Sequence, residues 1–448
     1  MAKPGDRSRS VPQARLARLA AFGQLATGVA GGVLGEGLRR LAKGERPQLS
    51  DLLLTPANAL RVTEQLSRLR GAAMKLGQML SLDAGDLLPA ELTAILARLR
   101  DDGHVMPAGQ LQKVLSTAWG PDWRQNFTSF DMVPIAAASI GQVHRARLKD
   151  GRDLAVKVQY PGVRASIDAD IDNVATLLRM SGLLPAGLDI APLLAEAKRQ
   201  LHEEADYLRE AAMMRRYGAL LAGDDRFIVP QPHDALVTRD VLPMDFILGG
   251  PIESLATAPG RQKALESLLD LVLAELFDFG LMQTDPNFAN YRWQAGTGRI
   301  VLLDFGAARE VAPGVAAGYR GLMAAGLDRD PAAIKAALLA MGFASPALLA
   351  RHGATIDRMI AVLLAHIAAS PALFAFADRS FVARLRTEAT GIGADRAAWV
   401  LPPAETLFVQ RKISGMALLC VRMGAELPLL QMLQRHRTGM VDGSASHP

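Results

Sequence analysis

Near the middle of the chain the sequence reads QTDPNFANYRWQAGTGRIVLLDFGAAR, from Gln283 to Arg309. Two aspartates, Asp285 and Asp304, stand on either side of Asn290, which lies five residues after the first and fourteen before the second. The apolar run before Asp304 predicts a strand ending on the acid. Phe305-Gly306 predicts a turn there, since glycine lets the chain change direction. A strand end is a rigid mount, and a carboxylate held on one can take a hard cation. Mg²⁺ uses oxygen ligands, commonly one or two carboxylates together with phosphate oxygens. An amide oxygen from Asn290 would complete the protein's share. Asp285 would then orient or deprotonate an attacking hydroxyl or water. Taken singly, Asp285-Pro286 could open a turn and Asp304 could cap a helix.

Taken together, D-x4-N followed by D-F-G has the spacing of a kinase catalytic loop. A kinase also needs a lysine on a small-lobe strand, and LAVKVQYP supplies Lys157 between apolar flanks. An ammonium in such a place must be paired, because a lone buried charge costs several kcal/mol. QLHEEADYLREAAMMRR offers Glu203, Glu204, Asp206 and Glu210. On one helix, at about 100° per residue, Glu203, Asp206 and Glu210 share a face and Glu204 points elsewhere. A solvated face with salt bridges to Arg199 and Arg209 would use the same acids. The phosphate loop departs from the ordinary kinase form. No GxGxxG precedes Lys157; its place is taken by AAASIGQVH, beginning with Ala136, Ala137, Ala138 and Ser139. Each alanine Cβ limits close backbone approach to phosphate and removes glycine's freedom at positive φ. Such a loop is expected to hold a terminal phosphate differently.

At 448 residues the chain has room for two or three domains. Half of it is hydrophobic and about a fifth charged, which places it among globular chains. The single cysteine, Cys420, excludes an internal disulfide and a cysteine-based zinc site, and leaves a reducing cytosol as the default. The formal net charge of +5 is concentrated at the start, where residues 1–48 hold nine Lys/Arg against three acids. A basic terminal segment suits anionic lipid or nucleic acid. Within it Gly28 and Gly32, and Gly31 and Gly35, fall at GxxxG spacing, a weak signal outside a long apolar span. No secretory signal is legible. The stretch most like a membrane span is Met359–Ala377, but His366, Ser370 and Pro371 inside it predict a buried helix broken near the proline.

Periodicity predicts a helix over 56–82, with Leu66, Leu69, Ala73, Leu76 and Leu80 forming one stripe. Further helix follows, and GPDW predicts a turn. From about Phe130 short apolar runs alternate with turns, and the Asp-Gly of LKDGRDL predicts a hairpin. Residues 166–180 and 190–221 are expected to be helical, 226–247 to return to strand, and the chain from Gly260 to be almost wholly helical outside the 283–309 segment. The expected fold is α+β and mainly helical. Its parts are a basic segment (1–48), a helical extension (49–129), a small α+β lobe (130–248), a helical lobe (249–440) and a disordered tail (441–448).

With these residues the chain resembles the UbiB/AarF (ADCK) family of atypical kinases, over about Leu60 to Val311. KLGQ matches its K-x-G-Q with Lys75 and Gln78, and AAASIGQVHRA its alanine-rich loop. AVKVQYPGV carries the strand lysine. EADYLREA matches its E-x-D element, Glu204 and Asp206, followed by the lysine's partner Glu210. QTDPNFAN and LLDFGAAR carry Asp285, Asn290 and Asp304. The Gln-Thr-Asp-Pro-Asn form resembles the mitochondrial ADCK branch more than the bacterial one, where His-Ala-Asp-Pro-His is usual.

The resemblance implies a bilobal protein-kinase-like fold with the helical extension packed over the active cleft. Lys75 and Gln78, about 60° apart on their helix and nearly opposite the leucine stripe, would block that cleft to a protein substrate, with Glu204 and Asp206 as further regulatory residues. It implies ATP or ADP and Mg²⁺ as cofactors. Lys157, paired with Glu210, would hold phosphates beneath Ala136–Ser139. Asn290 and Asp304 would hold Mg²⁺, Asp285 would position the nucleophile, and adenine would meet Met244, Asp245, Phe246 and Ile247. The implied activity is a Mg-dependent ATPase with little or no protein kinase activity, supporting ubiquinone biosynthesis. The implied place is cytoplasmic, peripheral on the inner membrane, with the basic segment on an anionic lipid surface. Ubiquinone precursors or biosynthetic enzymes are the implied partners, nucleic acid is not, and a homodimer is left open. Two alternatives stand beside this reading: a small-molecule or lipid kinase in the same pathway, and a non-catalytic nucleotide-gated scaffold or lipid-binding protein.

Overall fold

The computed structural model describes residues 105–138, 140–180, 191–369, 372–395 and 402–437. The expected 56–82 helix, Lys75, Gln78, Ser139, the basic segment with its spaced glycines and the tail lie outside these residues. The described residues divide into two units. One takes those up to Arg216 together with Pro230–Phe246; the other takes Tyr217–Val229 and the described residues from Ile247 onward.

Up to residue 245 the elements are α1 (Ala108–Trp119), β1 (Phe127–Phe130), β2 (Ala136–Ala137), β3 (Gly141–Leu148), β4 (Asp153–Gln159), α2 (Val163–Met180), α3 (Ala191–Glu204), α4 (Tyr207–Leu220), β5 (Phe227–Ile228) and β6 (Val241–Asp245). The first unit's sheet is antiparallel in the order β1-β3-β4-β6, with β2 beside β3. The LKDGRDL hairpin forms where its turn chemistry predicts. Arg147 stands opposite Asp153, and Gly151 takes the left-handed φ of 89° that favours glycine.

Strand β4 has two different faces, as strand periodicity requires. Leu154, Val156 and Val158 are wholly buried in one core with Leu111, Leu115, Trp123 and Phe127. Lys157 and Gln159 occupy the alternate positions. Residues 108–126, grouped by the sequence with the helical extension, thus contribute α1 and Trp123 to the core beneath this sheet.

The single helix expected over 190–221 is two helices. Asp206 breaks it by capping α4: its Oδ1 accepts from the backbone N–H groups of Leu208 and Arg209, each at 3.2 Å. A capping carboxylate satisfies donors that a helix start leaves open. The carbonyl of Ala205 accepts from Gln159 Nε2 at 2.7 Å and from the Arg164 guanidinium, which fastens the break to β4. The common face expected for Glu203, Asp206 and Glu210 therefore does not exist.

The second unit continues with β7 (Gly250–Pro251), α5 (Arg261–Ala274), a π-helical turn (Glu275–Phe279), β8 (Leu281–Gln283), β9 (Tyr291–Gln294), β10 (Arg299–Leu302) and β11 (Ala308–Glu310). Strands β5, β10, β9 and β7 form one sheet in that order, and β8 pairs with β11. Then come α6 (Pro313–Leu327), α7 (Pro331–Ala340), α8 (Pro346–Ala369), β12 (Phe374–Ala375), α9 (Ser380–Ala394), α10 (Ala404–Arg422), β13 (Glu426–Leu427) and α11 (Leu429–Arg435).

The helix expected within Met359–Ala377 is the second half of α8, ending at Ala369. It is not the buried helix the sequence suggests. Ile360 is buried, whereas Ala361, Leu363 and Ala365 are exposed. Packing explains this: Ile356, Ile360 and Leu364 join a cluster with Ile334 of α7 and Ile392 of α9 on one side only. Among the described residues no helix is long and apolar enough to cross a membrane.

Candidate active site

In the first unit, Lys157 and Glu210 are brought together. Lys157 Nζ donates to Glu210 Oε1 at 2.6 Å, and the two residues are only 8% and 1% exposed. Two rungs tie the same face of β4 to the start of α4: this ion pair and the Gln159–Ala205 hydrogen bond. The cap at Asp206 sets the first turn of α4, and Glu210 follows one turn later. The Lys157 ammonium also lies 5.4 Å from the Tyr207 ring centroid, a cation–π contact. Gln159 escaped the sequence reading; the available signal was its spacing of two from Lys157, which puts both on one face of a strand.

The other acids of this region are placed differently. Glu203 faces Arg199 at 3.5 Å and Arg209 at 4.0 Å. Glu204 is half-buried on the last turn of α3, and Asp206 is the cap. The alanine-rich segment pairs with β3, with Ala136 opposite Val143 and Ala137 opposite Gln142, and the Ala138 N–H donates to the Gly141 carbonyl at 2.9 Å. Gly141 is there for close approach: a Cβ would lie 2.3 Å from the Val158 carbonyl oxygen. Met244 and Asp245 end β6. Asp245 Oδ2 accepts from the Gln231 N–H at 3.0 Å, and the Arg145 guanidinium stands 4.6 Å from the Phe246 ring centroid. Ile247 begins the second unit.

In the second unit, the interval between Asn290 and Asp304 is a hairpin, β9–β10. Tyr291 is opposite Leu302, and the Leu303 N–H donates to the Asn290 carbonyl at 2.9 Å. Asn290 and Asp304 therefore leave the same end of one ladder. The β8–β11 pairing sets Gln283 opposite Ala308, and Thr284 Oγ1 donates to the Ala307 carbonyl at 2.8 Å. This holds the approach to Asp285 beside the segment that follows Asp304. Asn290 Nδ2 faces Asp285 Oδ2 at 3.5 Å, and Asp285 Oδ1 accepts from the Asn287 N–H at 3.3 Å. Asn287 Oδ1 in turn accepts from the Ala289 N–H at 3.1 Å, capping the short 3₁₀ turn that seats Asn290. Asp304 Oδ1 accepts from the Gly306 N–H at 2.9 Å, and Phe305 is buried with its ring 5.0 Å from that of Tyr217.

These donors fit Mg²⁺. The Asp304 carboxylate and the Asn290 amide offer hard oxygen ligands, and Nδ2 turned toward Asp285 directs the oxygen end of the Asn290 amide away from it. Among the described residues no cluster of three or more His, Cys, Asp or Glu side chains gathers to cage a metal. Asn290 and Asp304 would supply part of a coordination shell, the rest being left to phosphate oxygens and water, as Mg²⁺ sites commonly allow.

Residues 98–338 match the profile of the ABC1 atypical kinase-like domain. The chain is 37% identical over 424 residues to the atypical kinase COQ8, mitochondrial, of Saccharomyces cerevisiae, an alignment covering 94% of this chain and 84% of the relative. It is also 37% identical over 437 residues to the atypical kinase COQ8B, mitochondrial, of Rattus norvegicus, covering 96% and 81%. Among solved structures it is similar to the Rv3197–erythromycin complex from Mycobacterium tuberculosis, with a TM-score of 0.58 and 26% identity over 86% of this chain and 96% of that one.

Proposed function

Since the chain belongs to the ABC1 atypical kinase-like family, we propose that it is a Mg-dependent, kinase-like ATPase that supports ubiquinone biosynthesis. The observation that supports this most is the convergence of Asp285 and Asn290 with Asp304 at one end of a hairpin and its neighbouring strand pair. Lys157, held by Glu210, would bind phosphate oxygens. Ala136 to Ser139 would cover them, and Met244 to Ile247 would meet the base. Asn290 and Asp304 would hold Mg²⁺, which would supply positive charge against the phosphates. Asp285 would accept a hydrogen bond from the attacking hydroxyl or water and orient it. The relatives' mitochondrial setting and the basic segment at residues 1–48 support a peripheral place on an anionic membrane surface.

The test is nucleotide-dependent thermal stabilisation with and without Mg²⁺, since a ligand that binds the folded state raises its melting temperature. Wild-type protein should be stabilised by ADP or ATP with Mg²⁺, and Asp304→Asn should lose the Mg-dependent part. An undiminished shift in Asp304→Asn overturns the metal assignment. Asp285→Asn should keep the shift and lose turnover. Phosphate appearing on an isoprenoid precursor would move the reading to a lipid kinase. A normal quinone pool in a deletion strain would remove the pathway from it.

A further inference from the structure

Behind the Asp285–Asn290 loop lies a cation that the sequence reading did not single out. Lys412 of α10 is 1% exposed. Its Nζ donates to Tyr291 Oη at 2.7 Å and to Gln283 Oε1 at 3.3 Å, and stands 3.6 Å from Glu275 Oε2. Gln283 lies two residues before Asp285, and Tyr291 directly follows Asn290. One ammonium therefore grips both feet of the loop. Glu275, also 1% exposed, starts the π-helical turn and is bound from a second direction. Its Oε1 accepts from Tyr217 Oη at 2.9 Å and from the Gln283 N–H at 3.3 Å.

A buried pair of this kind is poor value as stabilisation. Desolvating two charges offsets much of their attraction, and apolar residues of similar volume often do as well. Its position supplies a reason for it. Desolvation opposes the charge on Lys412, yet Glu275 and Tyr291 beside it hold its pKa above the ordinary lysine value, so it is a cation at neutral pH. Lys412, Glu275 and Gln283 line one cavity of about 10 Å³ together with Asn290 and Asp304. That is room for about one water. Among the described residues Glu275 Oε2, an acceptor, and Gln283 Nε2, a donor, have no hydrogen-bond partner.

We infer that Lys412, with Glu275 as its counter-ion, is a positioning residue: it clamps Gln283 and Tyr291 so that Asp285 and Asn290 are presented in one fixed geometry beside Asp304. This rests on the functional reading above. Lys412 does not touch the reacting atoms; it acts through the loop.

The test removes both charges at nearly constant volume, in Lys412→Met/Glu275→Gln. The full-length double variant should melt within about 5 °C of wild type, because no lone charge is left buried. It should bind ADP at full stoichiometry, with Mg-free affinity within about threefold. Turnover should fall by about thirtyfold or more, since catalysis is sensitive to small misplacements. The Mg²⁺ concentration for half-maximal nucleotide stabilisation should rise by about tenfold, as a shifted Asn290 weakens the shell. Amide exchange over 283–291, measured without nucleotide, should quicken by about tenfold while the rest of β9–β10 is unchanged. Wild-type turnover, Mg²⁺ dependence and exchange in the double variant would overturn the inference. If the wild-type protein bound no Mg-nucleotide, the functional reading would fail, whereas exchange over 283–291 would still decide the role of Lys412.

Discussion

Gly415 of α10 and Pro286 stand so close that a Cβ on the glycine would lie 2.1 Å from the proline's own. Gly415 is three residues beyond Lys412, on the same side of the helix. The helix thus touches the 283–291 segment twice, once through a charge and once through the lack of a side chain.

Gly415→Ala should therefore displace Pro286 and its neighbour Asp285. Overpacking of this kind costs about 1–3 kcal/mol, and turnover should fall by about tenfold or more through misplacement. Denaturant unfolding and steady-state ATPase assays check both. Gly321→Ala is the control. Gly321 lies inside α6 with nothing within 4 Å of its added Cβ, so this change should stabilise by about 0.5–1 kcal/mol. Equal effects from the two would remove the argument from close contact.

The Lys157–Glu210 pair should behave as a coupled unit. Lys157→Met deprives buried Glu210 of the ammonium 2.6 Å away and should cost about 3–5 kcal/mol. Lys157→Met/Glu210→Leu should recover most of that loss, to within about 1–2 kcal/mol of wild type, while nucleotide binding stays abolished in both. A double-mutant cycle in urea measures the coupling; additive losses would mean the pair is not one unit.

Asp206 should matter through its cap. Asp206→Ala should cost about 1 kcal/mol and weaken nucleotide affinity by loosening the turn that leads to Glu210. Asp206→Asn keeps an acceptor oxygen and should retain stability. Calorimetric melts of the two variants are the check, and equal melting temperatures would rule the cap out as the source.

Stability should also fall between pH 7 and 5. Gln142 Oε1 accepts from the Met106 N–H at 2.9 Å, which turns its NH₂ toward His144 Nε2 at 2.8 Å. His144 must accept there, so its proton sits on Nδ1, donated to the Asp131 carbonyl at 2.7 Å. Burial lowers its pKa from the ordinary 6.5, with the Asp131 carbonyl opposing. Below pH 6.5 the unfolded chain takes up the proton first, so the stabilisation present above that pH is lost as pH falls. Two carboxylates held well below the ordinary range, Asp153 and Asp270 at about 2, each begin to lose their own contribution only below the ordinary 3.8. Urea midpoints at pH 7 and 5 test this: the drop should shrink in His144→Gln, and an identical drop would exclude His144.

Much of the site was legible because its signals are local. The strand before Asp304, the D-x4-N spacing, the apolar strand around Lys157 and the Asp-Gly hairpin each follow from side-chain period or turn chemistry within a few residues. Even the interval from Asn290 to Asp304 has a local cause, since β9 and β10 are neighbours in sequence and their ladder sets both ends together. The helix break at Ala205–Asp206 was in principle readable, because aspartate is a favoured cap, but the same residue also fits a helical face. Gln159 and Arg164 reaching Ala205 decided between the two.

Sequence alone thus determined the kinds of element on which the candidate residues Lys157, Asn290 and Asp304 ride. Only the tertiary structure decided where the helix between Glu203 and Glu210 breaks, which face of α8 is covered, and that Lys412, 121 residues after Tyr291, is buried against it instead of being a solvated helix charge. The physical reason is range. Period and turn chemistry act between neighbours along the chain, whereas burial and ion pairing depend on what folding brings alongside, and no local pattern encodes that.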